Sequence, residues 1–186
     1  MNRLAFVVIA WVLLGLELGL KSALELGSTG IAPSFVIPLG IFIAMGATPV
    51  RAVWSCVALG LLLDLTSSVP AVAGDPVVLG PWALGMALAA QLVLAIRAMM
   101  IRRNPLTLAF LSAVGMAVAQ VVVVALLTAR NLAYGDLAWN AGSQLVQRLG
   151  SSLYTGVLAL VMALALIPMA SILGLQLGHS RFQPRR

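Results

Sequence analysis

The sequence predicts an all-α integral membrane bundle of about six transmembrane helices with both termini in the cytoplasm, and three observations carry that expectation. Of 186 residues, 62% are hydrophobic and only 9% charged, against roughly 25% charged in an ordinary soluble domain. The apolar residues come in runs of bilayer length, and the cations gather at alternate ends of those runs. A water-soluble fold of this composition would expose large apolar patches, whereas in a bilayer the same surface faces lipid. A single transmembrane domain is expected over residues 1–186, because no linker or polar stretch divides the chain.

A hydrocarbon core of about 30 Å is crossed by roughly 17 to 25 apolar helical residues. The first run, 4–20, is interrupted only by Glu17 and is followed by Lys21 and Glu25 without a small-residue cleavage site. It reads as a retained helix, not a signal peptide. The second, 31–47, contains Pro33 and Pro38, which membrane helices tolerate with a kink or a broken start. The third, 52–69, carries Asp64, with Ser67 and Ser68 reading as its end. The fourth, 81–97, begins at Gly80-Pro81-Trp82, with Pro81 suited to a first helical turn. The fifth, 106–128, follows Arg102-Arg103-Asn104-Pro105, and the sixth covers 150–173.

Residues 137–149 precede the sixth run and place Ala138, Gly142, Leu145 and Leu149 at helical spacing, with Gln144, Gln147 and Arg148 on other faces. Two readings fit, an amphipathic helix lying in the membrane interface and a loop with a frayed helix start. A basic tail occupies 177–186.

Orientation follows from the cations. With the N-terminus inside, the cytoplasmic segments hold Arg3, Arg51, Arg97, Arg102, Arg103, Arg181, Arg185 and Arg186, while the outer segments hold only Lys21, Arg130 and Arg148. That asymmetry is the positive-inside pattern. Glu25, Asp75 and Asp136 then lie in outer loops, Trp82 and Trp139 near the outer interface, and Trp54 near the inner one. The net charge of +6 is therefore read as orientation, and nucleic acid is not an expected partner.

Two acids lie inside spans, Glu17 and Asp64. An intramembrane Asp costs about 2.5 to 3.5 kcal/mol on insertion scales, so such groups face a bundle interior or cavity. At about 1.5 Å per residue both fall roughly 18 to 21 Å from the cytoplasmic end. Gln120 sits near that level and Arg148 approaches it from the outer side. Asp64 fits either a polar cluster, a small-molecule pocket or proton-sensitive hinge, or a plainer role in which it reaches water at the nearby interface or makes one interhelical hydrogen bond. Glu17 has a local partner in Lys21 at i,i+4.

Gly15 and Gly19, Ala113 and Ala117, and Ser152 and Gly156 are small pairs at four-residue spacing, which allow close helix approach. Internal packing is the expected role of these pairs, and Gly15, Gly19, Gly60 and Gly80 are the candidate packing glycines. Cys56 stands alone in an apolar run and His179 in the polar tail, so neither a disulfide nor a metal or other cofactor is expected. No nucleophile, phosphate loop or acidic pair appears in a catalytic arrangement, and no enzyme is expected.

The stretch Gly60-Leu61-Leu62-Leu63-Asp64-Leu65, followed by Leu79-Gly80-Pro81-Trp82-Ala83-Leu84, resembles a pattern of the rod shape-determining protein MreD family. Pro33 and Pro38, the Thr48-Pro49 turn and the Arg102-Arg103 loop resemble it too, so the likeness covers about residues 33–130. It implies a bundle similar to the substrate-binding S-components of energy-coupling-factor vitamin transporters. It also implies a scaffold role in bacterial cell elongation in the inner membrane, beside MreC and with MreB, RodA and a class B penicillin-binding transpeptidase. A second reading on the same architecture is a receptor with an outer-half ligand pocket near Asp64 and Gln120. Residues 66–79, with Gly74-Asp75-Pro76, depart from the family pattern.

Overall fold

Asn2 opens the first helix, α1 (Arg3–Leu20), by accepting hydrogen bonds from the Leu4 and Ala5 amides at 3.2 and 3.5 Å, a side-chain N-cap. The computed structural model describes residues 2–27, 30–67, 77–100, 104–134 and 141–175, and every regular element among them is a helix. After α1 come α2 (Val36–Gly46), α3 (Pro49–Thr66), α4 (Pro81–Ile96), α5 (Pro105–Tyr134), α6 (Ala141–Leu166) and the short α7 (Ala170–Leu173). Prolines occupy the first position of α3, α4 and α5, where a missing amide hydrogen costs nothing. Asn104 caps α5 through a 2.9 Å bond from the Leu106 amide.

Four segments are long and apolar enough to cross a membrane: Arg3–Leu20, Pro49–Thr66, Pro105–Tyr134 and Gly142–Leu173. Their outward side chains are large and apolar, among them Trp11, Trp54, Leu153 and Leu164, the surface of a bundle solvated by lipid. The chain is an α-helical membrane protein. Its two described ends meet where the Asn2 amide donates to the Leu173 carbonyl at 3.0 Å, so both lie at one end of the bundle, as an even number of crossings requires.

The second run has the broken start that its prolines allow, and its helix is shorter than the run itself. A helix was expected over 31–47, yet residues 30–35 run without helical structure and only Val36–Gly46 are wound. Eleven helical residues rise about 16 Å, and the extended stretch supplies the remaining depth. Pro38 falls in the first turn of α2 and so removes no helical hydrogen bond. Every residue from Val36 to Met45 is buried, because α1, α3, α4, α5 and α6 all pack around this helix. A helix that is apolar on all sides belongs in such a position.

Arg97, just past α4, closes the far end of α2. Its Nη1 donates to the Ala44 and Ala47 carbonyls at 3.0 and 2.6 Å, satisfying orphan acceptors at a helix C-terminus with a cation. Arg97→Met is therefore expected to lower stability by about 1 to 3 kcal/mol. Unfolding in detergent–SDS mixtures measures it, and an unchanged midpoint would refute this role.

Three other boundaries differ. The third helix starts at Pro49 and ends at Thr66, and the fifth extends to Tyr134. Residues 141–149 are the opening turns of α6, continuous with the span, and form no separate interfacial helix. Their polar face has a different reason: Gln144, Gln147 and Arg148 turn toward an internal cavity. Residues 137–140, with Ala138 and Trp139, lie outside the described residues, as do Ser68, Gly74-Asp75-Pro76, Arg102-Arg103, Asp136, His179 and the tail 177–186.

Candidate functional site

Asp64 sits in the last turns of α3, 1% exposed. Its carboxylate accepts three backbone hydrogen bonds from the start of α4: Gly80 N–H to Oδ2 at 2.9 Å, Ala83 N–H to Oδ2 at 3.1 Å and Trp82 N–H to Oδ1 at 3.0 Å. These are the donors that a helix N-terminus leaves unpaired, and an anion there also complements the helix dipole. Gly80 enters the turn with φ +118°, backbone that favours glycine. It packs against nothing that a Cβ would meet, so its role is conformational and the packing role expected of it is corrected.

Gly60 lies one turn before Asp64 and does pack. A Cβ there would stand 2.6 Å from the Ala83 Cα and from the Trp82 carbonyl oxygen. The bare Gly60 backbone thus lets α4 come close enough for Asp64 to reach its amides. Asp64 thus makes the interhelical hydrogen bond of the sequence reading, in a threefold form, and at 1% exposed it does not reach out to water at the interface.

Glu17 performs the same operation on α2. Its Oε2 accepts from the Ser34 hydroxyl at 3.0 Å, from the Val36 amide at 3.3 Å and from the Phe35 amide. Thr155 of α6 takes the Ser34 amide at 2.9 Å, and Ser34 Oγ accepts from the Ile37 amide at 3.4 Å. Non-helical backbone at membrane depth persists only where protein or a cavity satisfies its polar groups, and these side chains do so for residues 34–37. Lys21 acts on the Glu17 charge as an i,i+4 neighbour but makes no hydrogen bond to it among the described residues. Lys21 remains exposed, while the α2 N-terminus offers Glu17 more donors.

On the facing helices, Arg148 Nη1 donates to Gln120 Oε1 at 2.8 Å and its Nε to Gln144 Oε1 at 3.4 Å. Glu17, Asp64, Gln120 and Arg148 together line one cavity of about 290 Å³, with Ser34, Trp82, Gln144, Gln147 and Ser151 among its other walls. The common depth read from the sequence brings all four candidates together.

The glycine pairs divide. Gly156 meets Ala113 and the Ala109 carbonyl between α5 and α6, an internal contact. Gly15 and Gly19 are exposed, and a Cβ on either would meet nothing, so they do not pack within the bundle. Cys56 is buried, its thiol 3.4 Å from the Gly40 carbonyl. Sequence reasoning missed Arg97, Ser34 and Thr155. A serine directly before an apolar run is an N-cap signal and marked Ser34, whereas nothing local marked Thr155.

Fold and cavity define a polytopic helical membrane protein with a charged chamber near one end of its bundle. Comparison of the chain with protein-family models, with curated proteins and with solved structures finds no match.

Proposed function

We propose that the chain is a non-enzymatic subunit of the bacterial cell-elongation complex, held in the inner membrane with both ends in the cytoplasm and docked to the transmembrane helix of an MreC partner. RodA, a class B penicillin-binding transpeptidase and MreB belong to the same assembly in this reading. The observation that carries it is the uncovered face of α1. Of that helix only Ala10, Leu13 and Glu17 are buried, while Leu4, Val8, Trp11, Gly15, Leu18 and Gly19 form an open stripe. Lipid supplies no hydrophobic drive between helices, so association rests on close backbone approach at small residues. Gly15 and Gly19 offer that approach to a second helix.

Gly15→Ile with Gly19→Ile is expected to leave folding intact, since both positions are exposed and a Cβ at either meets nothing within 4 Å. Recovery of a stoichiometric bitopic partner on co-purification should fall by about tenfold or more, the loss of roughly 1.4 kcal/mol of helix packing. Undiminished recovery would sink the docking role of α1.

The cavity favours a second reading, a vitamin-binding receptor subunit of an energy-coupling transporter. Its polar walls and its volume suit a small ligand. A bound vitamin and an ATPase module recovered with the protein would support it over the scaffold.

A further inference from the structure

The two carboxylates of the cavity are used differently. Asp64 spends both oxygens on the α4 amides. Glu17 is 5% exposed, and all three of its donors converge on Oε2. Among the described residues Oε1 receives no hydrogen bond, and it belongs to a side chain that lines the cavity. Lys21, one turn further along α1, also lines the cavity and acts on the Glu17 charge from there, but it stays exposed and makes no hydrogen bond to Glu17 among the described residues. Oε1 is therefore open to the cavity, and a carboxylate oxygen facing a cavity at membrane depth calls for a donor from whatever fills that space.

We infer that the cavity binds a ligand bearing a protonated primary amine, whose N–H groups donate to Glu17 Oε1. The inference rests on the cavity being a ligand site, as the second reading above does, but on no transporter or elongation partner. An ammonium supplies three donors in a compact charge, and a charge-assisted bond to carboxylate is among the stronger ones. Gln120 and Ser151 line the same space and offer neutral polar contacts for the rest of a small molecule, and the cations Lys21 and Arg148 on its walls face any anionic group that molecule carries, such as a phosphate. Glu17 lies one turn from the end of α1, a depth that both a phosphatidylethanolamine headgroup and a free amine can reach. The shared chemistry is the N–H-bearing ammonium. A quaternary ammonium carries the charge without the donor and is the natural control.

The test uses the full chain in nanodiscs. Native mass spectrometry would compare retention of phosphatidylethanolamine with that of phosphatidylcholine, and thermal unfolding would compare millimolar ethanolamine with tetramethylammonium. Preferential retention of phosphatidylethanolamine alone identifies a lipid headgroup, and stabilisation by ethanolamine alone identifies a free amine. Either result supports the inference, and equal behaviour of primary and quaternary amines in both assays overturns it. Glu17→Gln keeps a carbonyl oxygen for the α2 amides but turns an N–H₂ toward the cavity. It should weaken amine binding about tenfold to a hundredfold, the effect of losing a hydrogen bond to a charged group. Unchanged binding in E17Q overturns the inference. The wild-type comparison of amines decides the matter even if that variant does not fold.

Discussion

Replacing Asp64 with alanine is expected to destabilise the protein by about 3 to 5 kcal/mol, since three peptide donors lose their acceptor at roughly 1 to 3 kcal/mol each, less some relief through local unwinding. In water a frayed helix start is rescued by solvent, but at a site 1% exposed within a bilayer that rescue is weak. Asp64→Asn should fall between wild type and alanine. Its oxygen can serve the Gly80 and Ala83 amides, while its own N–H₂ then confronts the Trp82 N–H. SDS-unfolding midpoints give the order wild type, Asn, Ala. An alanine variant as stable as wild type would show that Asp64 does not hold α4.

The second large effect comes from the smallest change available. Gly60→Ala puts a methyl group 2.6 Å from the backbone of Ala83 and Trp82. No flexible side chain is there to yield, so α3 and α4 must separate. Overpacking of this kind costs about 1 to 3 kcal/mol, occasionally more. The same substitution at Gly15 meets nothing and should be neutral or stabilising by up to roughly 1 kcal/mol, because alanine is the better helix former. The separation forced at Gly60 also withdraws the α4 amides from Asp64. Gly60→Ala and Asp64→Ala are therefore expected to be non-additive by about 1 to 3 kcal/mol. Strict additivity in the double variant would mean that close approach and capping are independent.

These residues mark where sequence reading reaches and where it stops. The helices themselves were legible because a bilayer converts length and apolarity into a span, and the unequal share of cations at alternate ends of the runs gave the expected orientation. Counting residues also placed Glu17 and Asp64 at one depth, with Gln120 near it and Arg148 approaching from the outer side, since helical rise is nearly constant. What depended on tertiary contact was hidden. The nearest cation in sequence to Glu17 is Lys21, but the group that binds it is the start of another helix. Gly15 and Gly60 look alike as letters, yet one faces outward and the other touches a neighbouring backbone. The unwinding of residues 30–35 has no local cause beyond Pro33, because it relies on Glu17 before it and Thr155 far after it.

That last dependence has a consequence for how the protein is made. Residues 30–46 emerge early from the ribosome, but at eleven residues α2 is too short to enter the bilayer as a free span. Its N-terminal amides need Glu17, its C-terminal carbonyls need Arg97, and the Ser34 amide needs Thr155, 121 residues downstream. The central helix of the bundle is therefore the last to be fully housed. A chain halted after α5 would lack the Thr155 hydroxyl that completes the seat of this segment.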